Sequence, residues 1–367
     1  MVDSFVYSQP VKIYFGAESF KNLGAILEEQ GLQRAVLVCG RHFGPEAEAM
    51  KDSDPRFVGV FSGVEQNPRL SGVETVTALA RETGADCIVG IGGGSSLDTA
   101  KFAAAVAPNE GKAIDYYKGD RAFNALSRLA VIAVPTTAGT GSEVTQVSVV
   151  SHETEKKTIN NPAFMPRAAI VDPVLSSTVP PRTTMNTGLD AMAHALEGYW
   201  SINHQPITDI IAKAAVKLVL DNLEKAYKDG SDMEARSAMA YAALLGGMSF
   251  ALPKTAACHA CSYPLSEIYH LPHGEACAFT LDSFVKINAD DRLEELAHAV
   301  GLRDTEELAA KIRELKALAG LRSRISNLGE NVDTGLLAEA CSVHPLMNNN
   351  PVKLSVAELK EMFDALR

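Results

Sequence analysis

Short runs of β-branched residues alternate with helical patterns through the first half of the chain, and this alternation restricts the fold more than any other feature. Predicted buried strands cover 34–40, 56–64, 87–94 and 129–137. Between the second and the third, residues 71–85 carry apolar side chains at helical spacing and reach a stop signal at Gly84. Strand, helix and strand in this order need crossover connections, so the pattern predicts a doubly wound, parallel α/β sheet.

The sequence pattern changes after the prolines at 173, 180 and 181. Long helical patterns follow, as in 207–230 and 232–252, with few strand signals. A chain of 367 residues is also too long for one ordinary core. We therefore predict an α/β domain over 1–178 and an all-helical domain over 179–367, with a small-molecule site in the cleft between them.

Charge and apolar patterning exclude several classes of partner. The net charge is −11 and no basic stripe appears, which argues against nucleic acid and against an anionic membrane surface. The first residues lack the pattern of a secretory signal, and no apolar run reaches the roughly eighteen residues of a membrane span. Six scattered cysteines suit a reducing compartment. We expect a cytoplasmic protein that forms a homo-oligomer, a dimer, and acts on a small molecule.

A glycine-rich stretch, GIGGGSSLDTAK, follows the third predicted strand and opens a helix. Gly93, Gly94 and Ser95 would let backbone N–H groups approach a pyrophosphate, and the helix dipole would favour its charge. The stretch is not G-x-G-x-x-G, and Lys101 lies too far into the helix to act as a P-loop lysine. A tight turn without a ligand is the alternative.

A second polar loop, VPTTAGTGSEVT, follows the fourth predicted strand. Thr136, Thr137, Thr140 and Ser142 offer hydroxyl groups suited to ribose, phosphate and amide contacts. The alternative is a threonine-rich turn that only caps the next segment. Two such loops at strand ends predict a dinucleotide site.

Acidic and imidazole side chains suggest a metal site in the second half. Asp190 and His194 are four residues apart in a helical pattern and leave the same face, although such a pair is often only a polar helix face. His259 and His273 follow, fourteen residues apart. A carboxylate and imidazoles suit Fe(II) or Zn(II) and leave a position for a substrate oxygen.

The segment between the last two histidines contains turn-forming residues. Pro264, Pro272 and Gly274 predict a turn between two helices, which could fold His273 back toward His259.

Cysteines near this segment permit several interpretations. Cys258 and Cys261 form C-x-x-C, which would fit a redox pair or half of a zinc ribbon, but Cys277 stands alone where a ribbon needs a second pair. We interpret these thiols as packing residues.

Five motifs in order resemble the iron-containing (group III) alcohol dehydrogenase family, from about residue 10 to at least 290. They are FGAES, GGGSSLDTAK, PTTAGTGSEVT, GLDAMAHALEGY and LPHG. The resemblance implies a dehydroquinate synthase-like fold, with a dinucleotide-binding α/β domain and a helical metal domain. It assigns the metal, Fe(2+) by family expectation or alternatively Zn(2+), to Asp190, His194, His259 and His273. It also makes Asp98 and Lys157 candidates for cofactor contacts.

The chain departs from the family pattern four residues after His259. Many relatives carry a second histidine at that position. Here Tyr263 stands at that position. A tyrosine hydroxyl can relay a proton, although its ordinary pKa of about 10 makes it a weaker base than histidine. Packing, or shaping of the substrate site, is the alternative role for Tyr263, and His270 or water could carry the proton.

The residues after the second predicted strand bear on the cofactor. NAD-preferring relatives often carry an acidic residue there to bind the ribose 2′-OH. This chain has Gly40 and Arg41 instead, which favours NADP(H) over NAD(H), because a guanidinium matches a phosphate. A solvated loop charge is the alternative for Arg41.

One stretch of the sequence bears on the class of substrate. The stretch HACSYPL is similar to a pattern in relatives that reduce small anionic aldehydes such as phosphonoacetaldehyde. Lys254, five residues before His259, could meet the anionic group, or could be a surface charge at a helix end.

The predicted activity is reversible hydride transfer between a nicotinamide and a small alcohol or aldehyde. A glycerol dehydrogenase-like enzyme or a dehydroquinate synthase-like lyase would share the two-domain design, but a lyase for a sugar phosphate should show more basic residues near the histidines. A catalytically inactive homologue that binds metal and nucleotide is the third hypothesis.

Overall fold

The structure is a computed structural model that describes residues 4–153 and 155–367. The chain forms two compact units. The α/β unit comprises Gln9–Thr137 and Gly141–Ser176, and the helical unit comprises Ser177–Arg367, Ala138–Thr140 and an N-terminal segment up to Ser8. Within the described ranges, every helix is too short or too polar to cross a bilayer.

The α/β unit contains a six-stranded sheet in which every neighbouring pair is parallel, in the order β1-β8-β5-β4-β2-β3. A separate antiparallel hairpin is formed by β6 and β7. The strands are β1 (Lys12–Phe15), β2 (Ala35–Gly40), β3 (Phe57–Val64), β4 (Cys87–Gly92), β5 (Ala130–Pro135), β6 (Val147–His152), β7 (Glu155–Asn160) and β8 (Ala168–Val171). The four predicted strands and the parallel α/β fold class are confirmed, and the other four strands were not predicted.

Alternate residues of the central strands enter two cores. Val36 and Val38 of β2 pack in one cluster, and Leu37 and Cys39 pack in another, because successive side chains of a strand leave opposite faces. Helices cover both faces of the sheet. They are α1 (Leu23–Glu29), α2 (Gly44–Ser53), α3 (Leu70–Thr83), α4 (Gly94–Val106) and α5 (Ala113–Lys118).

Helix α3 ends where the sequence predicts. Gly84 follows it in the left-handed conformation, with φ of 60°, and its N–H bonds the last turn. Helix α4 begins in the glycine triplet directly after β4, as the motif predicts.

The second unit is entirely helical among the residues described, which confirms that prediction. Its helices are α6 (Pro181–Trp200), α7 (Pro206–Lys228), α8 (Met233–Phe250), α9 (Ala257–Tyr269), α10 (His273–Ile287), α11 (Asp291–Ala299), α12 (Thr305–Leu318), α13 (Thr334–Ser342) and α14 (Val356–Asp364). Its core is one continuous apolar cluster.

One local prediction is wrong. Pro264 lies inside α9 and does not mark a turn. Pro264 and Leu265 are buried, so tertiary packing keeps the helix intact despite the N–H that proline lacks. The turn is short and contains His270 in the left-handed conformation, with φ of 54°, directly before α10.

Candidate metal centre and nucleotide loops

Helix α6 carries three polar side chains along one face. Asp190, His194 and Glu197 are spaced by four and three residues, so successive turns bring them to the same side. All three are buried, and Glu197 has no exposed surface. The sequence predicts the pair of Asp190 and His194, and the structure adds the Glu197 carboxylate one turn further on.

Glu197 binds the first turn of α9. Its Oε1 accepts the backbone N–H of Cys258 at 2.6 Å and that of His259 at 3.3 Å, while Oε2 accepts a hydrogen bond from Nδ1 of His259. A carboxylate is favourable there because the first N–H groups of a helix lack intrahelical partners. Since Nδ1–H points to Glu197, the neutral form of the His259 ring has its lone pair on Nε2. Without a cation, burial lowers the pKa of His259, but the neighbouring Cys277 and Glu197 outweigh burial and raise that pKa well above its ordinary value.

A main-chain carbonyl group orients the His194 ring in the same way as Glu197 orients the His259 ring. Its Nδ1 donates to the carbonyl oxygen of Gly139 at 3.3 Å, and its ring stacks on Phe250 with centroids 4.3 Å apart. The lone pair of His194 is therefore also on Nε2. That atom lies 3.0 Å from Nε2 of His259. Two lone pairs at this separation repel unless a proton or a cation lies between them.

Helix α10 brings the third histidine to the same place. His273 is its first residue, and its Nε2 lies 3.8 Å from Oδ1 of Asp190. Gly274 allows α10 to approach α6, because a Cβ at this residue would lie 2.1 Å from the carbonyl oxygen of Asn186. Cys277, one turn further along α10, is buried with its Sγ 3.7 Å from Nε2 of His273.

The ligand atoms of Asp190, His259, His273 and Cys277 all lie within 4.8 Å of one another, and Nε2 of His194 adjoins that group through His259. We call Asp190 and the three histidines the metal centre. The structure thus brings together the four residues that the sequence predicts as ligands, and it adds a cysteine sulfur beside them.

Burial and mutual charge set the protonation of the metal centre. Burial lowers the pKa of His194 to about 4, so this ring is neutral near pH 7. Burial alone would raise the pKa of Asp190, but the surrounding imidazoles outweigh it and lower that pKa, so the carboxylate is ionised. A neutral imidazole and an ionised carboxylate are the forms that bind a metal.

These donors fit a divalent cation. Oδ1 of Asp190 is buried, and no residue that the structure describes donates a hydrogen bond to it. It lies 3.8 Å from Nε2 of His259 as well as from Nε2 of His273. A cation among these atoms would offset the desolvation of the carboxylate and separate the facing lone pairs.

The three remaining predicted residues of the helical unit are Tyr263, His270 and Lys254. Tyr263 is one turn beyond His259 on α9, and its ring stacks on that of His344 with centroids 4.3 Å apart. His270 is exposed at the end of α9. Lys254 is exposed after α8 with φ of 67°, and no side chain in the described ranges pairs with its amine.

The glycine loop has the geometry of an anion cradle. Gly93 precedes α4, and Gly94 and Ser95 form its first turn, so their N–H groups belong to the open end of the helix. Gly92 has φ of 149°, and a Cβ there would lie 2.4 Å from Oγ of Ser96. Only glycine fits this position.

The threonine loop begins beside the glycine loop. Because β4 and β5 are parallel neighbours, their carboxyl ends meet at one edge of the sheet, where the N–H of Thr136 donates to the carbonyl of Gly92 at 3.0 Å. Thr137 lies near Gly93, with Oγ1 3.4 Å from the position of a Cβ there. Thr140 belongs to the helical unit.

Asp98 and Ser142 lie beneath these loops and not on their surface. Both are buried, and the Ser142 hydroxyl donates to Asp98 at 2.7 Å. Asp98 also accepts the backbone N–H of Val149, and the buried Lys101 amine donates to Ser142 at 2.7 Å. In the structure this network ties the loop after β5 to α4.

Two further cofactor candidates lie elsewhere on the α/β unit. Gly40 ends β2, and Arg41 is exposed beside it, with no acid of the described chain paired to its guanidinium. Lys157, on β7, lies over the ring of Tyr117 with its amine 4.7 Å from the centroid, and it pairs with Glu155 at 3.5 Å.

Two residues of the site, Glu197 and Cys277, were missed from the sequence, and both had a periodic signal. Glu197 continues the helical series of Asp190 and His194, and Cys277 is four residues after His273. Each leaves the same helix face as a predicted ligand.

The fold and the candidate site together define a metal-dependent, dinucleotide-linked oxidoreductase. The α/β unit has a glycine loop at a helix start, and the helical unit has a carboxylate with clustered histidines. Comparison with known proteins makes this specific. Residues 10–173 match the family model of the iron-containing alcohol dehydrogenases, and residues 184–366 match the model of the C-terminal part of that family.

Individual relatives agree over most of their length. The long-chain-alcohol dehydrogenase 1 of Geobacillus thermodenitrificans is 36% identical, over 84% of this chain and 82% of that protein. The 1,3-propanediol dehydrogenase of Klebsiella pneumoniae is 31% identical over 98% of each chain. The solved sulfoacetaldehyde reductase of Bifidobacterium kashiwanohense, in complex with NAD+, is 37% identical, covers 99% of each chain and superposes with a TM-score of 0.95.

The chain therefore belongs to the iron-containing alcohol dehydrogenase family. Its activity is that of an NAD(P)-linked oxidoreductase acting on an alcohol or an aldehyde.

Proposed function

We propose that this chain reduces a small anionic aldehyde to the alcohol, and catalyses the reverse reaction, with a divalent cation held by the metal centre. Fe(II) is the expected cation and Zn(II) the alternative. The observation that carries the proposal is the buried Oδ1 of Asp190, which has no hydrogen-bond partner in the described ranges and lies among imidazole nitrogens. A carboxylate in this setting needs a positive charge beside it.

The bound cation would polarise the substrate oxygen, and the nicotinamide would carry the hydride. The protein's contribution is orientation. Glu197 and the carbonyl of Gly139 take the Nδ1–H groups of His259 and His194, so both Nε2 atoms keep their lone pairs for the cation. Burial of Asp190 keeps water from competing for its free oxygen.

Reduction of an aldehyde also needs a proton for the alcohol oxygen. Tyr263 is the proposed donor, since it lies one turn from His259 on the same helix, and its ring is held against His344. His270 is the alternative donor, although its exposed position at the end of α9 supports this role less. Water is the third possible source.

The nucleotide is proposed to bind along the two loops of the α/β unit. The N–H groups at Gly93, Gly94 and Ser95 would hold the pyrophosphate. Thr136 and Thr137, with Thr140, would contact the ribose and nicotinamide. Asp98 and Ser142 would shape the loop from beneath, as their buried hydrogen bond supports. Lys157 is proposed as a further cofactor contact.

We propose NADP(H) as the preferred cofactor over NAD(H). Arg41 is exposed directly after β2 and is unpaired among the described residues, which leaves its guanidinium available for a 2′-phosphate. The complex of the Bifidobacterium kashiwanohense enzyme contains NAD+, so a direct comparison of the two cofactors decides the preference.

An anionic substrate is supported by two observations. The sulfoacetaldehyde reductase resembles this chain over its whole length. The amine of Lys254 is exposed and has no paired acid in the part of the chain that the structure describes. We propose that Lys254 attracts the sulfonate, phosphonate or carboxylate of the substrate.

The setting of the enzyme is proposed as the cytoplasm, which the six free cysteines support because thiols persist in a reducing compartment. A homodimer is the proposed assembly, and 1–178 and 179–367 are the proposed domains.

The test begins with metal analysis of protein purified without oxygen. Consumption of NADPH and of NADH is then measured with acetaldehyde, sulfoacetaldehyde and phosphonoacetaldehyde. We expect one bound cation per chain and faster NADPH oxidation with an anionic aldehyde. Faster turnover of acetaldehyde would contradict the anionic substrate, and tight nucleotide binding without any turnover would favour the inactive homologue. A lyase would convert its substrate without net NADPH consumption.

A further inference from the structure

A further imidazole, that of His344, lies close to the metal centre and belongs to none of the sequence motifs. It follows α13 and precedes a short 3-10 helix, Pro345–Asn349, and both elements pack against α9. Its ring stacks on that of Tyr263 with centroids 4.3 Å apart and planes 28° apart. Because Tyr263 is one turn after His259 on α9, its side chain leaves the same face of the helix as that metal-centre residue.

The backbone determines which nitrogen of His344 carries the proton. Nδ1 accepts the backbone N–H of Leu346 at 3.3 Å, so the hydrogen of the neutral ring is on Nε2. Burial lowers the pKa of His344, and His259 lowers it further, so the ring is neutral near pH 7. The ring therefore presents one N–H donor at Nε2, for which no residue in the described ranges is the acceptor.

The surroundings leave this donor available to a substrate. The two buried carboxylates of the site are already engaged, because Asp190 belongs to the metal centre and Glu197 binds His259. The His344 side chain is half-buried, so a hydrogen bond formed there is partly shielded from water. An N–H donor in this setting suits a charged oxygen, whereas the methyl end of a neutral aldehyde offers it no acceptor.

We propose that His344 binds the anionic group of the substrate, with Nε2–H donating a hydrogen bond to a sulfonate, phosphonate or carboxylate oxygen. This inference rests on the proposed reduction of an anionic aldehyde, and it names a residue that selects such a substrate. Tyr263 holds the ring by stacking, and the N–H of Leu346 holds its tautomer. Since a hydrogen bond to a charged acceptor is stronger than one between neutral groups, His344 discriminates against aldehydes that lack the charge.

Two variants of the full-length, metal-loaded enzyme separate this role from support of the loop. His344→Phe keeps a ring to stack on Tyr263 but has no donor, whereas His344→Gln places an amide N–H near the position of Nε2. Both lose the acceptor for the N–H of Leu346, so any recovery in His344→Gln reports the donor. His298→Phe is the matched control, since this histidine is exposed on α11 of the same unit.

The assay measures kcat/KM for sulfoacetaldehyde and for acetaldehyde with each variant. We expect His344→Phe to lower kcat/KM for sulfoacetaldehyde by roughly tenfold or more and that for acetaldehyde by less than about threefold. His344→Gln should recover part of the loss, and His298→Phe should behave as the wild type does. An equal loss with both aldehydes, or no loss with either, overturns the role of His344.

The wild-type enzyme gives a second measurement that does not depend on the folding of a variant. In crystals that contain the nucleotide and 2-hydroxyethanesulfonate, the reduced form of sulfoacetaldehyde, we expect a sulfonate oxygen about 2.7–3.2 Å from Nε2 of His344. A sulfonate bound elsewhere overturns the proposal. If that wild-type enzyme still prefers sulfoacetaldehyde to acetaldehyde, the proposed function stands without His344, whereas a preference for acetaldehyde overturns both.

Discussion

Replacement of Glu197 tests how the metal centre is oriented. This buried carboxylate accepts hydrogen bonds from Nδ1 of His259 and from the backbone N–H of Cys258. Glu197→Ala removes both, frees the His259 ring to rotate and leaves its Nδ1–H without an acceptor. A hydrogen bond to a charged group contributes about 1.5–3 kcal/mol.

That energy converts into metal affinity, because the variant must order His259 again when the cation binds. Loss of a partner that orients a ligand histidine weakens metal binding about 10–100-fold, equivalent to about 1.4–2.8 kcal/mol, so two independent estimates agree. Glu197→Gln keeps the shape and one acceptor oxygen. We expect it to weaken zinc binding by roughly tenfold or less.

The assay is competition for zinc between the metal-free protein and a chromophoric chelator. Glu234→Gln is the matched control, since this glutamate is exposed on a helix of the same unit. Circular dichroism checks that each variant is folded. A folded Glu197→Ala protein with wild-type zinc affinity would refute the orienting role.

Four further perturbations follow from the structure. Gly274→Ala would force a Cβ to within 2.1 Å of the carbonyl oxygen of Asn186. We therefore expect the free energy of unfolding, measured with urea, to fall by about 1–3 kcal/mol, and zinc binding to weaken. Unchanged values would contradict the close approach of α10 to α6. Burial raises the pKa of Glu143 to about 7 from its ordinary 4.5. Between these two pH values the folded protein keeps the proton on Glu143, whereas the unfolded chain has released it. The free energy of unfolding should therefore fall by up to about 3 kcal/mol as pH rises through this window, and Glu143→Gln should remove that contribution to the slope in urea titrations at several pH values; an unchanged slope would contradict it. Tyr263→Phe should lower kcat for aldehyde reduction by about 10–100-fold with little change in KM, and a wild-type rate would eliminate the tyrosine as proton donor. Arg41→Glu should raise KM for NADPH by roughly tenfold or more relative to KM for NADH, and an unchanged ratio would show that the guanidinium does not contact a 2′-phosphate.

Periodicity in the sequence predicts the central elements well. The runs before Gly40 and Gly92 are nearly continuous apolar strands, as expected for a parallel sheet covered on both faces, and both occur. The hairpin of β6 and β7 escaped prediction because its residues are only partly buried and carry many polar side chains, so no strong alternation marks it. The helix through Pro264 shows the reverse case, in which tertiary packing overrides a local breaker.

The candidate site divides in the same way. Asp190 and His194 can be paired from the sequence because both lie on one helix face. The meeting of that face with His259 and His273 depends on how three helices pack. The residue types and the turn suggested it, and the family resemblance assigned it. The partner of Nδ1 of His259 lies 62 residues away along the chain, so no local pattern identifies it.

Anomalous X-ray diffraction from crystals of protein purified without oxygen, recorded at the iron and zinc edges, tests the metal centre most directly. We predict one strong peak about 2.0–2.3 Å from a carboxylate oxygen of Asp190 and from imidazole nitrogens of the metal centre. Fully active crystals that show no peak there, or a peak bound only by other residues, would contradict the account.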